Sequence, residues 1–76
     1  MRAYTYQVGE GVGDVIKTPI HSESVTADSL GEAIIKAKAI TRLRPPHESE
    51  TVVRLVQDAA DEYPLWASSA ADVRQD

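Results

Sequence analysis

The chain has 76 residues, 42% of them hydrophobic and 26% charged, with no cysteine and a formal charge of −4. This length allows one small domain with a marginal core and excludes a deep cleft between two domains, while the missing cysteines exclude a disulfide framework and a thiolate metal cluster. Residues 1–57 balance seven basic against seven acidic residues, so the whole negative excess falls in residues 58–76, and an acidic chain without a basic stripe lacks the counterion release that drives nucleic-acid binding.

Tyr4-Thr5-Tyr6-Gln7-Val8 alternates apolar and polar residues and is rich in strand formers, which predicts a first strand. Gly9-Glu10-Gly11-Val12-Gly13-Asp14 follows, and its three glycines predict a hairpin connection with positive φ angles. Val15-Ile16-Lys17-Thr18 returns as a second strand. Pro19 has no N–H for the ladder, so that strand lies at an edge, bends or ends there, with Ile20 to Thr26 continuing it beyond a bulge.

Ser29 and Glu32 have capping-box spacing at the head of an apolar-periodic segment, which predicts a helix start. Leu30, Ala33, Ile34, Ala37 and Ile40 form one stripe, expected to face the sheet, and Ile35 and Ala39 widen it to one side. Pro45-Pro46 ends the helix, leaving Leu43 to Glu50 as a polar loop. Thr51 to Gln57 has the strongest strand composition, with valine on both alternating faces, and is expected to be central. Tyr63 to Ser68 is expected to pair back as a short edge strand, and Ser69 to Asp76 to fray.

The predicted architecture is therefore α+β, ββαβ(β), with an antiparallel sheet of three to four strands and one amphipathic helix on one face. The domain spans residues 1–68 and the tail residues 69–76. One helix covers only one face of such a sheet, and a second subunit on the remaining surface would enlarge a small core. A homodimer or another protein partner is thus expected, with Tyr4, Tyr6, Ile35 and Trp66 at the interface, since aromatics with a polar handle favour interface cores.

No motif fixes a chemistry. The glycine run lacks the Lys-Ser/Thr pair and the following helix of a phosphate loop. His21 and His47, each near a glutamate, are the residues from which a small metal-assisted enzyme would have to be built, but they lack the i, i+4 spacing of a helical metal motif. Asp58, Asp61 and Glu62 form a run too short for a calcium loop. Lys36, Lys38, Arg42 and Arg44 are expected to complement the negative end of the helix dipole. No cofactor, metal site or catalytic residue is expected. The chain shows no signal-like leader and no apolar run near the roughly 20 residues of a membrane span, so a cytoplasmic location without membrane association is expected.

The order of Tyr4-Thr5-Tyr6-Gln7-Val8, glycine-rich turn, second strand, alanine-rich helix, proline-bearing loop and Val52-Val53-Arg54-Leu55-Val56-Gln57-Asp58 hairpin resembles small ββαββ proteins of alphaproteobacteria that have no assigned function. That resemblance implies an architecture and no activity. Val25-Thr26-Ala27-Asp28-Ser29-Leu30-Gly31-Glu32-Ala33-Ile34 is similar to the strand-to-helix junction of HicB-type antitoxins, which implies inhibition of a protein partner as an alternative function.

Overall fold

The computed structural model describes residues 1–58 and 63–75. The chain forms β1 (Arg2–Val12), β2 (Val15–Ala27), α1 (Leu30–Leu43), β3 (Val52–Val56), β4 (Trp66–Ser69) and α2 (Ala70–Gln75). The strands make one antiparallel sheet in the order β2-β1-β3-β4. The expected α+β fold is thus present with four strands.

Two elements differ from expectation. The glycine-rich segment is mostly strand: β1 runs through Val12, and only Gly13 has positive φ, at 66°. Gly9 and Gly11 answer a different need. A Cβ on Gly9 would stand 2.4 Å from the Thr18 carbonyl oxygen, and one on Gly11 would stand 1.8 Å from that of Val15. The bulge expected beside Pro19 is present: the β1–β2 register slips between Val8 and Gly9, opposite His21 and Pro19, and a further slip lies between Glu10 and Gly11. Such bulges bend a hairpin and increase its twist. The hairpin tip accordingly folds back over β3, where the Asp14 carbonyl accepts a 3.0 Å hydrogen bond from Arg54 Nη1 and the Gly11 N–H donates to Thr51 Oγ1 at 2.9 Å.

The second difference is at the C-terminal end, where residues 70–75 form α2 and are not frayed. Ser69 Oγ caps it by accepting the Asp72 N–H at 3.1 Å, and Ala70 and Val73 are buried. Its far end is fastened by charge. Glu50, whose side chain is 2% exposed, accepts from Arg44 Nη1 at 2.8 Å through one carboxylate oxygen and from Arg74 Nη2 at 2.8 Å through the other. Arg74 Nη1 also donates to the Arg44 carbonyl at 3.1 Å, and Arg42 Nε to the Val73 carbonyl at 3.1 Å. The end of α1, the proline-bearing loop and α2 therefore share one node.

α1 starts and stops where local chemistry requires. The Ser29 side chain accepts the Glu32 N–H at 3.2 Å, and Arg44 closes the last turn ahead of Pro45. Ala33 and Ala37 are buried, and Leu30, Ile34 and Ile40 pack at the core margin. Across β1 and β3 the pairs Tyr6–Leu55 and Val8–Val53 face the helix, while Val52 and Val56 are buried on the opposite side. Apolar residues on both faces suit a central strand.

One polar contact lies inside this core. Tyr6 and Thr41 are both fully buried, and their hydroxyls are 2.7 Å apart. Thr41 gives its single proton to the Ala37 carbonyl at 2.9 Å, so Tyr6 is the donor to Thr41. Thr41→Val strands the Tyr6 O–H without an acceptor, which costs about 1–3 kcal/mol, whereas Tyr6→Phe leaves Thr41 satisfied and costs about 0.5–1.5 kcal/mol. Urea unfolding of both variants checks this order. Equal losses would show that the donor assignment is wrong.

Candidate functional site

The four expected interface residues separate. Tyr4 and Tyr6 lie in the protein's own core, at 4% and 0% exposure, so neither offers a surface to a partner. The correction has a simple cause: the even positions of β1 face α1, and the aromatic rings fill the space between helix and sheet. Trp66, at the start of β4, is half-buried and packs against the same core. Ile35 is 69% exposed on α1. The structure thus leaves one of the four fully presented to solvent.

Ile35 is not isolated. Ala39 follows one turn later and Leu43, 85% exposed, one turn after that, which aligns all three on one side of the helix. This stripe is separate from the buried set. It borders a groove of about 340 Å³ between α1 and β2, lined by Ser24, Val25, Thr26, Lys36, Ala39 and Ile40. The strand beneath the groove is an edge of the sheet, so one line of its backbone groups is open to a further strand. Lys36 Nζ covers part of it by donating to the Thr26 carbonyl at 2.6 Å, and pairs with Glu32 at 3.4 Å.

The other expected features are placed as follows. Arg42 and Arg44 do stand at the end of α1, and both engage structural partners there. His21 lies on β2 with its ring against Tyr6 at 6.2 Å and its Nε2 3.6 Å from Glu23, and His47 is in the exposed loop after α1, where its Nδ1 accepts the Ser49 N–H. Among the described residues, no three His, Cys, Asp or Glu side chains stand together as metal ligands. Asp61 and Glu62 of the acidic run lie outside the described residues. Among the described residues, no helix is long and apolar enough to cross a membrane.

The second face of the sheet holds a feature that sequence reading did not single out. Ser22, Gln7 and Arg54 are paired across three adjacent strands and form a row on the side away from α1. A cleft of about 180 Å³ opens over this row, lined also by Ile16, Pro19 and His21. Its signal in the sequence was the isolated Arg54 in an otherwise apolar strand.

Neither protein-family models nor curated proteins nor solved structures show a match to this chain. Function is argued from the geometry above.

Proposed function

We propose that this protein is a small, non-enzymatic binding module that acts as a homodimer through α1 and the adjacent edge of β2. The observation that carries the reading is the exposed stripe of Ile35, Ala39 and Leu43 beside the groove over Ser24 to Thr26. A two-fold axis lays each stripe on its copy, so that one self-complementary patch is covered in both subunits.

Light scattering coupled to size exclusion tests this. The expected mass is twice 8.3 kDa. The double variant Ile35→Glu/Leu43→Glu places like charges opposite each other and shifts the protein to monomer, by about a hundredfold or more in Kd. Both positions are exposed, but Leu43→Glu also sets a negative charge at the negative end of the helix dipole, so the mass rather than the thermal midpoint reads the lost association. A parent protein that remains monomeric at high concentration would reject the homodimer and make this surface the site of a different protein, the class of partner that an inhibitor of the HicB type engages.

A further inference from the structure

We infer that the cleft on the second sheet face is a binding site for a small organic carboxylate, with Arg54 as its anchor. This goes beyond the proposed self-association, whose Ile35, Ala39 and Leu43 stripe lies on α1 while the cleft opens on the sheet face away from α1.

Arg54 sits in the middle of β3, opposite Gln7 on one side and Ala67 on the other. Its Nε donates to Gln7 Oε1 at 2.7 Å and its Nη1 to the Asp14 carbonyl at 3.0 Å. Both acceptors are neutral. They hold the guanidinium in one orientation without neutralising it, and among the described residues this sets Arg54 apart from Arg44 and Arg74, which share Glu50, and from Lys36, which pairs with Glu32. The six residues that line the cleft include no Asp or Glu. Glu23, the nearest acidic residue along β2, is engaged with His21. A half-buried, oriented guanidinium facing a cleft, bonded to the Asp14 backbone but with no carboxylate of the described residues within ion-pair distance, favours an anion, and its planar fork fits a carboxylate.

The neighbours supply donors of the same kind. Gln7 uses its carbonyl oxygen on Arg54, which fixes the amide and leaves its NH₂ group to donate. The Ser22 side chain lies on the same face, across from Gln7. Ile16 and Pro19, from the bulged part of β2, form an apolar wall. A charged donor row beside an apolar wall in about 180 Å³ suits an acid with a short hydrocarbon part more than inorganic phosphate.

The test is an NMR titration of the ¹⁵N-labelled protein with propionate and, separately, with phosphate. Propionate is expected to produce saturable shifts confined to the Arg54 Nε–Hε, the Gln7 side-chain amide and the Ser22 and Pro19 neighbourhood. Arg54→Gln is expected to weaken propionate at least tenfold, with its own spectral changes confined to the Gln7 and Asp14 surroundings that lose their donor. Ser22→Ala, which keeps the charge and touches no core residue, is expected to weaken it severalfold, and it decides the matter if Arg54→Gln does not fold. The Ile35→Glu/Leu43→Glu variant is expected to bind propionate as the parent does, which separates this site from the dimer surface. Shifts with phosphate alone would overturn the carboxylate assignment. Non-saturating shifts, or identical ones in the Ser22→Ala and Arg54→Gln proteins, would overturn the site.

Discussion

Replacing Glu50 with alanine is expected to lower the thermal midpoint by roughly 12–24 °C, the equivalent of about 3 kcal/mol in a domain of this size. The carboxylate is almost wholly buried, with each oxygen bound to a different guanidinium. Its removal leaves two arginines facing each other, each with about a fifth of its side chain still in water, at 19% and 22% exposure. That access to water places the loss at the lower end of the range for a broken buried ion pair. Three kcal/mol is still a large share of the roughly 5–10 kcal/mol that holds a domain of this length together. Arg74→Ala removes one arm and leaves the Arg44–Glu50 pair, so its effect is smaller. Differential scanning calorimetry of the two variants measures both. A loss below about 1 kcal/mol for Glu50→Ala would reduce the node to an ordinary surface ion pair.

The second large effect is expected at Gly9. Alanine there drives its Cβ into the Thr18 carbonyl at 2.4 Å and the Ile16 methyl group at 2.5 Å. Ile16 is able to turn aside, but the Thr18 backbone belongs to the bulge that folds the hairpin over β3. The expected cost is about 1–3 kcal/mol, as for overpacking in a closely packed interior. It also carries a local signature: the Arg54 Nε–Hε and Asp14 amide resonances move as the tip lifts. Gly13→Ala, in open space at φ 66°, pays only the left-handed backbone penalty of roughly 1–2 kcal/mol and leaves Arg54 undisturbed. A Gly9→Ala protein with the stability and Arg54 resonances of the parent would show that the tip does not need this close approach.

What was legible in the sequence follows from how local each signal is. Ser29, Glu32 and Pro45 fixed both ends of α1 because caps and prolines act within a turn. The alternation of Tyr4, Tyr6 and Val8 correctly made one face of β1 apolar, yet alternation does not say whether such a face meets a helix of the same chain or another molecule. That ambiguity explains why Tyr4 and Tyr6 were expected at an interface and are found in the core. Ser69 and Asp72 repeat the spacing of Ser29 and Glu32, a signal for α2 that was present but followed by too few residues to show a period. Of the second-face cleft only the lone Arg54 of β3 stood out in the sequence; its setting depends on Asp14, 40 residues away, brought over β3 by two bulges. Thr41 illustrates the same limit, since its place one turn after Ala37 becomes meaningful only once Tyr6 is seen beneath it.

The two borders of the sheet are unequal. β2 is an outer strand of 13 residues, whereas β4 is an outer strand of four that passes directly into α2. Pro19 and the bulges disrupt the first half of β2, so only the stretch from Ser22 to Ala27 has regular geometry for pairing. Growth into a fibre needs two mutually compatible borders on each molecule, one to accept a strand and one to offer it. The described sheet offers no such pair: the border of β2 is long and regular only from Ser22 to Ala27, that of β4 is four residues closed off by α2, and the two do not match as giver and receiver of a strand.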